Sequence, residues 1–207
     1  ETAFHDLPSG ADAAAADGGG EVWVAGGTYT GAEAAAVLAM RQWVAFYGGF
    51  SGAETARDQR DWTANPAVID GENARQCVLG ADNAMLDGFT VVRGNGDSGG
   101  GVCNYGSSPR LMNCTFAGNT AVNGAGVYSD SGASPKITNC LFTENKAHFG
   151  GAAYNSGASP EFANCIFEGN RAFSAAAGDG GAMYNLNAFY VSGICPSGKV
   201  RRVSDRE

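Results

Sequence analysis

The sequence predicts an all-β fold in which the chain coils into a parallel β-solenoid, and three observations lead to that prediction. NCTFAGN (Asn113–Asn119), NCLFTEN (Asn139–Asn145) and NCIFEGN (Asn164–Asn170) form a repeat with steps of 26 and 25 residues. The apolar runs are only a few residues long and are separated by Gly, Asn, Ser and Pro. The composition is rich in glycine, with 32 among 207 residues and no three-residue period. Repeats of this length form stacked units that bury an apolar face only against their neighbours.

Each repeat is expected to form one turn of the solenoid, built from short strands joined by tight corners. Because successive turns stack about 4.8 Å apart, equivalent residues lie above one another and form ladders. The predicted ladders are cysteines at Cys114, Cys140, Cys165 and Cys195, phenylalanines at Phe116, Phe142 and Phe167, and asparagines at Asn119, Asn145 and Asn170. Stacked asparagines hydrogen-bond along such a ladder and satisfy their amides at the corner.

The repeat extends beyond its three obvious copies. LDGFTVVRGN (Leu86–Asn95) fits the same corner upstream, and GGAMYN (Gly180–Asn185) opens another turn downstream. The pattern breaks at Pro196. We therefore expect about seven turns over residues 21–195, followed by a polar tail over residues 196–207.

Residues 1–20 are expected to cap the first turn, because an open solenoid end exposes apolar core and unpaired strand edges. AFHDLPSGADAAAAD (Ala3–Asp17) is rich in alanine and precedes three glycines, which predicts a short helix with a break near Pro8. The residues that follow predict, in order, a small helical excursion over Glu33–Met40, a strand over Trp43–Tyr47 and a turn over Gly48–Gly52.

A charged block, ETARDQRDW (Glu54–Trp62), stands out in a chain with few charges. Its acidic and basic side chains alternate closely, which fits either a catalytic cluster or a loop held by ion pairs and hydrogen bonds. We interpret it as a pinned loop, because it lies between turn-forming sequences.

Charge and cysteine spacing exclude several classes of function. The net charge of −8 argues against nucleic acid and anionic membrane surfaces as partners, and no apolar run approaches the ~20 residues of a membrane span. The six cysteines form no CxxC or His–Cys spacing, so we expect no metal site and no cofactor. Cysteines stacked with parallel side chains fit disulfide torsions poorly, so we expect buried thiols.

Several stretches resemble known β-helix proteins. VWVAGGTYT (22–30), FYGGFSGAETARDQRDW (46–62) and VIDGENA (68–74) resemble the opening of bacterial right-handed parallel β-helix repeat proteins of the pectin-lyase-like superfamily. FAGN, FTEN and FEGN, with GGAA and GGAM, are similar to the FxxN and GGA(I/L/V) motifs of chlamydial polymorphic outer-membrane proteins. The resemblance covers roughly residues 20–195. It implies a right-handed helix, a secreted or cell-surface location in a bacterium, and often adhesion or contact with carbohydrate.

One column of polar residues follows the predicted asparagine ladder. Lys146 and Arg171 share a register, and His148 and Phe173 share another two residues further on. The three basic side chains are candidate contacts for an acidic sugar. Phe149 or Phe173 is the candidate stacking platform. The alternative is that this column is an ordinary solvated turn.

The predicted function is a non-catalytic extracellular or surface module that binds a glycan or a protein. The alternatives are a carbohydrate-active enzyme (a polysaccharide lyase or a glycoside hydrolase) and a purely structural or self-associating scaffold. A lyase needs clustered acids for calcium and a nearby base, and a hydrolase needs two carboxylates on one face. The acids of the repeats share few registers, and they are Asp97, Asp130, Glu144, Glu161, Glu168 and Asp179. We therefore assign no catalytic residue.

The repeat stops within a turn near Cys195, which leaves a strand edge for the short tail to cover. An uncovered edge pairs readily with another chain. A homodimer through the open end of the solenoid is therefore a further expectation.

Overall fold

The computed structural model describes residues 6–31, 35–173 and 182–186, which form a parallel β-solenoid preceded by one helix. The helix is α1 (Leu7–Ala16), and the Asp6 side chain accepts a hydrogen bond from the Ser9 N–H at its start. Pro8 lies in the first helical turn, where its missing N–H removes no intrahelical bond, so the break expected there is absent. Leu7 and Ala11 are buried in the core, and α1 thereby covers the first turn of the solenoid.

The described residues form six turns, while residues 187–195, the last part of the predicted seven turns, lie outside them. The first turn holds β1 (Gly20–Ala25), β2 (Gly27–Tyr29) and β3 (Ala36–Ala39). The second turn holds β4 (Val44–Phe50), the 3-10 helix η1 (Arg57–Gln59), β5 (Ala67–Asp70) and β6 (Gln76–Leu79). The third turn holds β7 (Met85–Asp87), β8 (Phe89–Val92), β9 (Asn95–Ser98) and β10 (Val102–Tyr105). The fourth turn holds β11 (Arg110–Met112), β12 (Thr115–Ala117), β13 (Thr120–Asn123) and β14 (Val127–Asp130). The fifth turn holds β15 (Lys136–Thr138), β16 (Leu141–Thr143), β17 (Lys146–Phe149) and β18 (Ala153–Ser156). The sixth turn holds β19 (Glu161–Ala163), β20 (Ile166–Glu168), β21 (Arg171–Ala172) and β22 (Met183–Leu186).

Equivalent strands of successive turns pair in parallel and make four sheets along the solenoid. In the order of their pairing, sheet 1 contains β1, β4, β7, β11, β15 and β19, sheet 2 contains β2, β5, β8, β12, β16 and β20, sheet 3 contains β9, β13, β17 and β21, and sheet 4 contains β3, β6, β10, β14, β18 and β22. The chain runs through sheets 1, 2, 3 and 4 in each of the last four turns, so each sheet shows one outer face to solvent.

Two local predictions near the N-terminus were wrong. The helical excursion predicted over Glu33–Met40 is the strand β3 over the described residues Ala36–Ala39, which pairs with β6 and buries Val37 and Leu38. Tertiary pairing here overrides the helical preference of alanine. The turn predicted over Gly48–Gly52 begins later, since β4 continues to Phe50.

The core consists of the ladders that the repeat sequence suggests. Phe142 stacks on Phe116 with ring centroids 4.8 Å apart and on Phe167 at 4.9 Å. Cys114, Cys140 and Cys165 are buried free thiols. Each of these thiols donates a hydrogen bond to the main-chain carbonyl two residues earlier, at 3.0 to 3.4 Å. Cys195 and the predicted tail lie outside the described residues.

The buried asparagine ladder lies at the corner between sheets 2 and 3. Asn119 Nδ2 donates to Asn145 Oδ1 at 3.0 Å, and Asn145 Nδ2 donates to Asn170 Oδ1 at 2.9 Å. Each Nδ2 also donates to a main-chain carbonyl of the preceding turn, at 2.8 to 3.0 Å. The amides are thus satisfied by the stack itself, as buried polar groups require. Within the described part of the chain, no helix has the length and apolarity to cross a membrane.

Candidate binding surfaces

The outer face of sheet 3 carries the basic residues that the sequence singles out. In β17, Lys146 and His148 are exposed while Ala147 between them is buried. Arg171 of β21 pairs in register with Lys146. We call Lys146, His148 and Arg171 the cationic strip. Within the described residues, none of the three side chains makes a salt bridge or a hydrogen bond to another side chain.

The two aromatic candidates differ in position. Phe173 follows the outward alternation of β21, and 58% of its surface is exposed. Phe149, at the end of β17, is half-buried and packs against Tyr184 of sheet 4, with ring centroids 5.6 Å apart. The structure therefore places Phe173 beside the cationic strip and directs Phe149 away from it.

A tyrosine ladder runs along the outer face of sheet 4. Tyr154 stacks on Tyr128 at 5.5 Å and on Tyr184 at 5.1 Å between ring centroids. Burial, and then the Asp130 carboxylate, raise the pKa of Tyr128. Since the ring faces cover one another, this ladder presents edges and hydroxyls to solvent and not the flat faces on which sugars stack.

A groove that the sequence did not indicate lies between the 51–66 loop and the corner that joins sheets 1 and 2. We call it the corner groove; it has a volume of about 370 Å³. Its polar and aromatic lining comes from Trp62, Thr63, Thr90, Asn113, Thr115 and Asn139. The groove combines strand residues from three successive turns with the side chain of a loop residue, Trp62.

Arg60 holds the 51–66 loop against the solenoid. Its Nη2 lies 2.9 Å from Asp87 Oδ2 in an ion pair that is nearly buried, and its Nη1 donates to the carbonyls of Gly48 and Asp87 at 3.1 and 3.0 Å. The guanidinium lies over the rings of Tyr47 and Trp62, 5.0 and 4.8 Å from their centroids. The prediction that the charged block is a pinned loop is confirmed, but its arginines pair with acids outside the block: Arg57 pairs with Glu21, and Arg60 pairs with Asp87.

Close backbone contact completes this attachment. The Asp61 N–H donates to the Gly49 carbonyl at 2.8 Å, and Gly49 has a φ of 105°. A Cβ on Gly49 would come within 2.6 Å of the Trp62 main chain. Glycine at position 49 therefore allows the loop to bring Trp62 to the rim of the groove.

A second asparagine ladder forms one side of the corner groove. Asn113, Asn139 and Asn164 adopt positive φ values of 52 to 56°, a conformation that asparagine tolerates better than most residues. Asn139 donates to Asn113 at 3.2 Å, and Asn164 donates to Asn139 at 2.8 Å. Asn113 donates to Asp87 Oδ1 at 2.7 Å, so one network joins Arg60 to this ladder. The sequence contained the signal, since these asparagines open each NC(T/L/I)F repeat.

The buried carboxylates have structural partners. Arg93 binds the Asp70 carboxylate through two nitrogens and holds the pKa of Asp70 below its usual range. Asp87 is held by Arg60 and Asn113. Among the residues described, no cluster of three or more His, Cys, Asp or Glu could hold a metal ion. Asp179, one of the acids considered for catalysis, lies outside the described residues.

The fold and these surfaces define a class: a parallel β-solenoid with an apolar interior and extended polar outer faces. The chain belongs to the right-handed β-helix family, because residues 67–190, more than half of its 207 residues, match the family described as "Right handed beta helix region". No curated protein and no solved structure matches the chain.

Proposed function

We propose that this protein is a non-catalytic binding module that holds an acidic glycan on the outer face of sheet 3. Lys146 and Arg171 would bind carboxylate or sulfate groups, His148 would contribute a further polar contact, and Phe173 would pack against the sugar ring. The observation that carries the proposal is the pairing of two exposed cations, Lys146 and Arg171, in direct register.

Like charges directly opposite each other on neighbouring strands destabilise a sheet. Sheet 1 has a comparable pair, Arg110 and Lys136, but there Lys136 Nζ lies 3.8 Å from Glu161 Oε2. No anionic side chain of the described residues compensates Lys146 and Arg171 in this way. An acidic ligand would relieve their repulsion, and this complementarity favours a polyanion although the net charge of the chain is −8.

The resemblances in sequence extend the proposal. The FxxN and GGA sequences support kinship with chlamydial-type surface β-helices, and VWVAGGTYT supports kinship with the pectin-lyase-like superfamily. On these grounds we also propose a location outside the cell or on its surface. An enzymatic role has less support, since the buried carboxylates Asp70 and Asp87 are both held in ion pairs.

The test is a screen of acidic and neutral glycans with calcium and with chelator, followed by calorimetry on the best acidic ligand. Lys146→Gln/Arg171→Gln is expected to weaken binding at least about tenfold, since each charge-assisted hydrogen bond is worth about 1.5 kcal/mol or more. Affinity of the wild type should also fall as salt concentration rises.

The matched control is Arg110→Gln/Lys136→Gln, which changes the net charge equally on another face. It should leave the affinity within about twofold, since distant surface charges are screened. An equal loss of affinity in both double variants would mean that binding depends only on the overall charge of the protein. The cationic strip would then be an ordinary solvated turn. Release of unsaturated or reducing ends would show an enzyme, and absence of any glycan binding would favour a protein partner or a scaffold.

A further inference from the structure

We propose that the corner groove is a second binding site, which takes an uncharged glycan chain with Trp62 as its stacking platform. The groove and the cationic strip share no residue. Either site can therefore fail its test without affecting the other.

Trp62 is placed as a preorganised platform. Its side chain lines the groove, and 42% of the residue surface is exposed. Arg60 lies against its ring, and the ion pair with Asp87 fixes that guanidinium in turn. A rigid aromatic ring loses little conformational freedom when a ligand stacks on it, so this arrangement favours binding to the apolar face of a sugar ring.

The floor of the groove supplies neutral hydrogen-bonding groups at the spacing of the turns. Thr90 and Thr115 pair in register on sheet 2, and both are half-buried. Their outward column continues with Leu141, which adds an apolar contact beside the two hydroxyls. A ligand that runs along the solenoid axis therefore meets hydroxyl, hydroxyl and aliphatic groups about 4.8 Å apart.

The asparagine side of the groove has hydrogen-bonding capacity left over. A primary amide has two N–H donors and an oxygen with two lone pairs. In the ladder, Asn113 and Asn139 each use one N–H and one lone pair. The remaining donor and acceptor of each amide suit sugar hydroxyls, which both donate and accept.

The lining residues carry no carboxylate, ammonium, guanidinium or imidazole group. An ionised ligand would lose hydration in the groove and find no opposite charge among the side chains that line it, which is costly, and the nearby Arg60 is already paired with Asp87. A neutral polyhydroxyl chain finds paired donors and acceptors together with an aromatic face. The chemistry of the lining therefore favours an uncharged glycan over an acidic one.

Calorimetry and tryptophan fluorescence with uncharged hexasaccharides (cellohexaose, mannohexaose, xylohexaose and laminarihexaose) test this site. The intact chain is expected to bind at least one of them. Trp62→Ala should weaken that binding about tenfold or more, as expected for a central tryptophan contact. Thr115→Val keeps the shape and the strand preference but removes a hydroxyl, and should weaken binding about three- to tenfold.

Two control variants distinguish binding in the groove from binding elsewhere on the protein. Trp43→Ala removes an exposed tryptophan that does not line the groove, and Lys146→Gln/Arg171→Gln alters only the cationic strip. Both should bind the hexasaccharide as the wild type does. The proposal is overturned if the wild type binds none of the four sugars at millimolar concentration, or if Trp62→Ala and Thr115→Val both retain full affinity.

Discussion

Asn145 illustrates how a single side chain joins three turns of the solenoid. Its Oδ1 accepts from both the main-chain N–H and the Nδ2 of Asn119, each at 3.0 Å. Its Nδ2 donates to Asn170 Oδ1 at 2.9 Å and to the Phe116 carbonyl at 2.8 Å. The residue is fully buried, so water cannot replace these partners. Four hydrogen bonds therefore depend on one amide.

Asn145→Ala is expected to lower the free energy of unfolding by about 3 kcal/mol or more, because it leaves several buried groups unsatisfied at about 1 to 3 kcal/mol each. Chemical denaturation followed by circular dichroism measures the change.

Asn139→Gly is the matched comparison for this variant. It removes an exposed ladder amide, and glycine accepts the positive φ of that position. We expect a cost of about 1 kcal/mol or less. Equal costs for the two substitutions would contradict the role of burial in the inner ladder.

The sequence predicted the inner asparagine ladder but not a second buried polar column on sheet 4. Asn104, Ser129 and Asn155 pair in register and are fully buried. Asn104 Nδ2 donates weakly to Ser129 Oγ at 3.4 Å, and the Oδ1 atoms of Asn104 and Asn155 have no partner. Serine in the middle of the column is too short to continue the ladder. The repeat pattern does not reveal such a column, because the residue type at this position changes between asparagine and serine from turn to turn.

At the scale of elements, the 51–66 loop begins with a cluster of hydrogen bonds to the carboxylate of Glu54, which we call the clasp. Glu54 accepts hydrogen bonds from the N–H groups of Ser51, Gly52 and Ala53 at 2.8 to 3.1 Å, and from the Ser51 hydroxyl at 2.9 Å. These bonds, those from Ser51 first, lower the pKa of Glu54 from 4.5 to about 2. Since the folded pKa is depressed, the clasp contributes fully above pH 4.5 and is lost as the pH falls towards 2.

An NMR titration is expected to show the amide protons of Ser51, Gly52 and Ala53 shifting with a midpoint near pH 2. In Glu54→Gln the same amides should show no transition in this range, because the variant has no carboxylate to protonate. A midpoint near pH 4.5 in the wild type would mean that the clasp does not form in solution.

The charged block predicted that this loop is pinned, but the groove beneath it could not be predicted. Arg60 pairs with Asp87, 27 residues away, and positions Trp62 over the corner of sheets 1 and 2. Nothing in local sequence specifies that pairing. The same limit explains β3, where alanine-rich sequence suggests a helix but pairing with β6 decides for a strand.

For the whole molecule, stability is expected to be a sum over stacked turns, since each turn contacts mainly its neighbours. Deleting residues 114–139 removes 26 residues, or one turn, and joins Asn113 to Cys140 in unchanged register. We expect the shortened chain to fold with the same circular dichroism per residue and with lower stability, because one interface between turns is lost.

Deleting residues 114–126 removes only 13 residues and serves as the comparison. It joins the corner after sheet 1 directly to a strand of sheet 4. The inward and outward residues of the later turns then no longer align with those of the earlier turns. Loss of cooperative thermal unfolding is expected for this variant alone. A folded half-turn deletion, or an unfolded full-turn deletion, would contradict the dependence of folding on register.

The expected homodimer through the open end stays a prediction at this scale, since residues after Leu186 are outside the described part of the chain. Size-exclusion chromatography with light scattering across concentrations measures the oligomeric state.

The sequence by itself determined the repeating turn, its inner ladders and the basic column on sheet 3, because these depend on periodicity and equivalent residues stack directly. Only the tertiary structure decided that Phe149 packs against Tyr184, that β3 is a strand, and that Trp62 lines one groove together with threonines and asparagines of later turns. These features depend on contacts between residues far apart in sequence and in different registers. Periodicity specifies what lies above a residue in the stack, whereas the course of a loop across the stack is fixed by packing, ion pairs and hydrogen bonds in three dimensions.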